Sequence, residues 1–277
     1  MSNRNNQQNK QAARERLRAE RERQAKKDKT RRQLVVAGSL VVVLAIAGGV
    51  AFAVSKMTGS DDGQWKAAAD KTLVKPANTT GEKGTEVVIG DKNAKETLTV
   101  YEDPRCPICA SFEQGAGKKL RQDVKEGRYK ARYVLANFID DNPIAKGTGS
   151  KNAVSALGAA LNVSTEAFLD YKEALYSKDK HPDEATDTFA DDKKLLEIAQ
   201  DVPALKGNKK FEQSINDHTF DKWALELGEL MGQDGVKGTP ALVHNKKQLH
   251  VPGTDNPPID EEQFNAVIDA EFGAKKK

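Results

Sequence analysis

Two cysteines occur in this 277-residue chain, within the run Cys106-Pro107-Ile108-Cys109. Thiols at that spacing close a small ring as a disulfide or open it as a dithiol, so the chemistry on offer is thiol–disulfide exchange. If Cys106 opens a helix, its sulfur faces unpaired N–H groups and the positive end of the helix dipole. Both favour the thiolate and make Cys106 the nucleophile. Pro107 suits the first helical turn, where its missing N–H costs nothing. Ile108 completes the active-site dipeptide, and Cys109, one turn further in, becomes the buried resolving thiol. Arg105 is expected to add positive charge beside Cys106. A zinc half-site and an inert structural disulfide compete with this reading. The first needs four ligands, yet no other cysteine exists and His244 and His250 are too few. The second would restrain little of the unfolded chain, because the ring is so small. No metal and no organic cofactor are expected in this domain.

The elements that must position the pair follow from hydrophobic period. Val87–Ile89 and Thr97–Tyr101 read as strands. After Cys109, the residues Phe112, Ala116, Leu120 and Val124 mark one face of a helix that ends near Gly127. Gly115 and Gly117 weaken that helix and allow a kink. Tyr129 to Phe138 reads as a third strand. About 100 residues of helical character come next, with Ser150 as a cap and Val154, Leu157 and Leu161 on the first face. Phe168, Tyr171 and Leu175 mark a second helix, and Leu195, Ile198 and Val202 a third, which stops at Pro203. Phe211 and Ile215 mark a fourth. Phe220, Trp223, Ala224, Leu227 and Met231 mark a fifth, with Phe220 and Trp223 read as core residues. Thr239-Pro240 leads into a strand at Ala241–His244, a turn at Asn245–Lys247 and a strand at Gln248–Val251. A last helix carries Phe264, Val267, Ile268 and Phe272. This order gives an α/β fold with a helical insertion at about 149–234.

Charge is divided along the chain. Residues 1–33 hold 12 Lys/Arg against 4 Asp/Glu, a net of +8, while the whole chain is +3 and residues 34–277 therefore carry −5. A nucleic-acid binder places its excess charge on the folded part, so no nucleic-acid partner is expected. Residues 1–33 are too polar to offset the entropy of folding and read as a disordered basic tail. No charged residue lies between Arg32 and Lys56. A helix over 34–54 would span about 32 Å, enough for a bilayer core of about 30 Å. The basic flank keeps the tail cytoplasmic and sends the remainder outside the cell membrane. Ala51-Phe52-Ala53 resembles a signal-peptidase site, but the apolar run is longer than a cleaved signal's, so an uncleaved single-pass anchor is favoured. Residues 55–84, rich in small and polar side chains, read as a linker or stalk with one short helix, leaving 85–277 as the globular domain.

Strand–Glu-Asp-Pro-Arg-Cys-Pro-Ile-Cys–helix, followed much later by Gly238-Thr239-Pro240-Ala-Leu-Val, resembles the thioredoxin superfamily. The Cys-Pro-x-Cys centre with a helical insertion before the Thr-Pro is similar to the DsbA-like thiol:disulfide oxidoreductases, particularly membrane-anchored Gram-positive and actinobacterial forms, over about residues 85–272. The resemblance implies a thioredoxin-like fold in which a cis peptide bond before Pro240 faces the dithiol and Thr239 offers its backbone to an extended substrate. It implies an oxidase that introduces disulfides into exported cysteine-containing proteins through Cys106 and Cys109, re-oxidised by a quinone-linked membrane partner of the vitamin K epoxide reductase type. Two residues depart from the family pattern. Oxidising members often place His between the cysteines, where Pro107-Ile108 stands here. Many carry a buried acid six residues before the first cysteine, which is Val100 here, and Glu102 and Asp103 are expected as exposed loop acids. The same fold run as a reductase is the nearest rival, and a non-enzymatic binding module the third reading. No dimerisation domain is visible, so a monomer is expected, ranking isomerase below oxidase.

Overall fold

The computed structural model describes residues 61–274. The basic tail and the apolar run at 34–54 lie outside the described residues. Among those described, no helix is long and apolar enough to cross a membrane.

The described chain opens with helix α1 (Asp61–Asp70), strand β1 (Val87–Ile89) and strand β2 (Thr97–Glu102). Helix α2 (Pro107–Phe112) passes through a π-helical turn, Glu113–Gly117, directly into α3 (Lys118–Lys125), and β3 (Lys130–Leu135) follows. Helices α4 (Gly149–Val163), α5 (Thr165–Leu175), α6 (Asp192–Ala199), α7 (Lys209–Asn216) and α8 (Asp221–Gln233) come next. The hairpin of β4 (Ala241–His244) and β5 (Lys247–Leu249) and helix α9 (Glu261–Phe272) complete the fold. The sheet has the order β1-β3-β2-β4-β5. Strands β2 and β3 are parallel, joined by the α2–α3 crossover, while the other pairs are antiparallel. The result is a mixed α/β sheet with a helical segment placed between β3 and β4.

Strand alternation decides what each face buries. Leu98 and Val100 point into the main core with Ala131, Tyr133 and Leu242, whereas Tyr101 and Val134 point to the other face with Met231 and Ala241. Because β2 runs to Glu102, that residue lies on the same face as Leu98 and Val100. Helix α2 is held to α9 by Phe112 against Phe264, ring centroids 6.1 Å apart.

Several elements differ from the sequence expectation. The expected kink is the π-helical turn, and it includes a position where only glycine fits, since a Cβ on Gly115 would lie 2.2 Å from the Ile259 carbonyl oxygen. Strand β3 stops at Leu135, before a 3-10 turn at Phe138–Asp141. The terminal hairpin turns on two residues, Asn245 (φ 49°) and Lys246 (φ 66°), so Lys247 pairs with His244 and β5 starts one residue early. Ser150 is not the cap of α4. It sits inside the first turn, and the carboxylates of Asp187 and Asp140 accept the N–H groups of Thr148, Gly149, Ser150 and Lys151. Residues 61–84 pack against the domain. Trp65 and Ala68 are buried, Asn78 Nδ2 donates to the Leu161 carbonyl, and the Gly84 carbonyl accepts from Trp223 Nε1 at 2.7 Å. Trp223 and Phe220 are core residues, as their stripe implies.

Candidate active site

Strand β2 delivers the chain to a tight turn in which the Cys106 N–H donates to the Asp103 carbonyl. Cys106 then takes an extended conformation (φ −74°, ψ 118°) and is the N-cap of α2, with Pro107 at the first helical position. Both thiols are free; Cys106 is 6% exposed and Cys109 wholly buried. From across the sheet, the start of β4 brings the Thr239–Pro240 peptide, which is cis. The Cys106 thiol donates to the Thr239 carbonyl oxygen at 3.5 Å. The structure thus gathers Cys106, Cys109, Thr239 and Pro240 at one sheet end, with Pro107 exposed and Ile108 half-buried.

Electrostatics separate the sulfurs. A hydrogen bond from the Cys109 thiol holds the Cys106 thiol below its ordinary value, outweighing burial, with help from Thr239 and the Cys109 backbone. Burial pushes the Cys109 thiol well up, and its bond to Cys106 and the charges of Cys106 and Glu102 add to that. Cys106 is the more acidic sulfur and Cys109 the one that keeps its proton, the asymmetry a nucleophile and resolving pair requires.

Three expectations change. Glu102 and Asp103 are not exposed loop acids; both are completely buried. Glu102 Oε2 accepts from Lys172 Nζ at 2.8 Å, and the same ammonium meets Glu113 at 2.6 Å. Lys172 also lies over the rings of Tyr133 and Tyr176, at 5.1 and 5.5 Å. Burial and the Glu113 charge push Glu102 up to about 8 despite Lys172. Burial pushes Asp103 up to about 7, although Ser150 Oγ and the Arg105 and Ile139 N–H groups all donate to it. Third, Arg105 does not lend its charge to Cys106. Its guanidinium is buried between Asp140 (2.8 Å) and Asp187 (3.1 Å) and donates to the carbonyls of Ala145 and Glu184.

Glu102 lies on the same face of β2 as Val100, and the alternation Leu98, Val100, Glu102 is the signal that locates it. Lys172 and Glu113 went unrecognised in the sequence. Lys172 falls four residues after Phe168, on the buried stripe of α5, which is a legible sign of burial. Nothing in the sequence pairs it with Glu113, because the two stand on different elements 59 residues apart.

A family model described as Thioredoxin matches residues 82–270, and the chain belongs to that family. Among curated relatives, the serine/threonine-protein kinase PknE of Mycobacterium tuberculosis is 26% identical over 118 residues, covering 43% of this chain and 21% of the kinase. The chain therefore spans about a fifth of the length of those kinases. Disulfide bond formation protein D of Bacillus subtilis is 23% identical over 163 residues, 58% of this chain and 68% of that protein. The solved structure of MdbA, a thiol-disulfide oxidoreductase from Corynebacterium diphtheriae, superposes with a TM-score of 0.53 at 18% identity, covering 72% of this chain and 98% of MdbA. At that identity the likeness establishes the fold. The structural relatives carry names of thiol-disulfide oxidoreductases, and the class of protein defined here is a thioredoxin-family domain with a free Cys-Pro-Ile-Cys dithiol.

Proposed function

We propose that the protein is a thiol:disulfide oxidase acting outside the cytoplasmic membrane, anchored through residues 34–54, that introduces disulfides into exported cysteine-containing proteins. The observation that carries this reading is the Cys106 sulfur, thiolate-favouring and set 3.5 Å from the Thr239 carbonyl beside cis-Pro240. A client thiolate attacks Cys106 Sγ of the oxidised centre. The Cys106–Cys109 bond breaks, and its electron pair leaves on Cys109. The client's second thiolate then attacks the client sulfur of the mixed disulfide and expels the Cys106 thiolate. The client loses two electrons and the dithiol gains them. Protonated Glu102, backed by Lys172 and Glu113, is the proton store for Cys109. A quinone-linked membrane partner restores the disulfide, and no cofactor is required within the domain.

A stabilised Cys106 thiolate stabilises the reduced form and therefore makes the disulfide more oxidising. The test is the equilibrium reduction potential of the full-length chain in detergent micelles, titrated against glutathione and read by thiol-labelling mass shift. A potential nearer the strong-oxidant figure of about −120 mV is expected. A value near the thioredoxin figure of about −270 mV would overturn the oxidase assignment in favour of a reductase.

A further inference from the structure

Between the end of α5 and the 3-10 turn at Thr188–Ala190, the insertion lays a strap, residues 177–186, against the turn that leads into Cys106. Its backbone bonds to itself are local ones, from Lys180 and His181 to the Ser177 carbonyl and from Thr186 to Asp183. A segment with so little internal support opens at low cost unless it is tied to its neighbours. The carbonyls of Glu184 and Thr186 accept from Arg105 at 3.0 and 3.4 Å. An ion pair of Lys180 with Asp201 is exposed and adds little. The remaining tie is the His181 ring. It stacks on Tyr176 with centroids 5.8 Å apart and 15° between planes, and meets Phe189 edge-on at 6.3 Å.

That aromatic box suits a neutral imidazole. Tyr176 belongs to the cluster that packs Cys106 and Cys109, and Phe189 is wholly buried. The His181 Nε2 atom is shut off from solvent and has no hydrogen-bond partner. A neutral ring accommodates this with its proton on Nδ1 and a bare lone pair on Nε2. An imidazolium would instead carry a proton on Nε2 with no acceptor, in an apolar enclosure. Burial pulls the ring down to about 4 from the ordinary 6.5, against the Pro104 and Pro182 backbones and the Asp183 charge, which favour protonation. Around the box, Asp103 and Arg105 flank Pro104, Lys172 lies 5.5 Å from the Tyr176 ring centroid, and Asp187 stands two residues before Phe189. None of these gives Nε2 an acceptor.

We propose that His181 is an acid-sensitive latch: protonation drives its ring out of the Tyr176–Phe189 box and frees residues 177–186 from the turn before Cys106. The closed strap is then fully stable above the ordinary imidazole range and loses that stability as pH falls through the folded value. Asp187, bound to Arg105 and to the first turn of α4, stays in place as the hinge. Opening takes the Glu184 and Thr186 carbonyls from Arg105 and bares the dithiol cluster on its Tyr176 side. The latch works the same way whichever direction the dithiol runs.

Hydrogen–deuterium exchange of the full-length chain in detergent micelles tests this, read by mass spectrometry on peptides covering 177–186 and corrected for the intrinsic pH dependence of exchange. The open population is expected to rise about tenfold or more from pH 7 to pH 5, as follows for a ring that titrates near 6.5 when open and about 4 when closed. His181→Phe keeps an aromatic ring in the box and cannot be protonated, so its strap should change less than about twofold over the same range. Exchange of the His181 C2 hydrogen reports protonation in the unaltered chain, and its midpoint should fall below about pH 5.5. A wild-type strap that opens equally at both pH values, or a His181 ring that titrates at its ordinary value, would overturn the latch. So would a His181→Phe strap that keeps the rise, which would move the switch to Asp103, pushed up to about 7 on the adjoining turn.

Discussion

A carboxyl group enclosed by protein and set near a second carboxylate keeps its proton to higher pH than in water. Glu102 is such a group, pushed up to about 8 by burial and by Glu113. Its folded value lies above its unfolded one, so the neutral acid contributes stability that is present at low pH and lost as pH rises towards 8. Glu102→Gln keeps the shape and cannot ionise. The melting temperature of Glu102→Gln relative to wild type should therefore climb between pH 5 and pH 8.5, and a constant difference across that range would refute the protonated assignment. The strand pattern announces this residue, because a side chain two positions after Val100 must point the same way. Its partners are another matter: Lys172 stands 70 residues away on the insertion, and only the folded chain shows that the two meet.

At the scale of elements, the end of the sheet remote from the dithiol is closed by a clasp between β4 and α9. His244 Nδ1 meets Glu271 and Nε2 meets Glu96, both at 2.8 Å, and the imidazole lies 4.5 Å from the Phe272 ring centroid. Burial pulls the imidazole down, but the bonds to Glu271 and Glu96 outweigh it and raise its pKa. The contribution is then full below the ordinary imidazole range and disappears as pH rises through the folded value. Thermal melts of His244→Gln should show a loss of roughly 2–4 °C at pH 5.5 that shrinks to less than about 1 °C at pH 9, the size expected of about 1 kcal/mol in a domain this large. Most elements were legible from period alone, since the stripes on α4, α5 and α8 mark real buried faces. What escaped depends on distant neighbours. Gly115 signals a weak point in the helix, but the Ile259 carbonyl that leaves no room for a side chain there comes from 144 residues further along the chain. The α4 N-terminus is likewise capped from Asp140 and Asp187, not by the serine that local sequence offers.

For the molecule as a whole, the question is how the helical insertion is locked to the sheet that carries the dithiol. Arg105 does this from the residue before the nucleophile. Its side chain is wholly buried and joins Asp140 after β3, Asp187 after α5 and the carbonyls of Ala145 and Glu184, while both carboxylates also hold the first turn of α4. Removing one member of a buried ionic cluster leaves the others uncompensated, at a cost of about 3–5 kcal/mol. Arg105→Met should lower the stability measured by urea unfolding by about that amount. Arg105→Lys should fall between, since it restores the charge without the planar fork that reaches several acceptors at once. The reactivity of the sulfur should respond differently. The guanidinium charge is spent on Asp140 and Asp187, and the hydrogen bond from Cys109 is what favours the Cys106 thiolate. The 240 nm titration of Cys106 in folded Arg105→Met should therefore match the wild type. A large upward shift would mean that Arg105 acts on the sulfur after all, whereas lost stability with an unchanged titration identifies the arginine as the bolt between insertion and sheet.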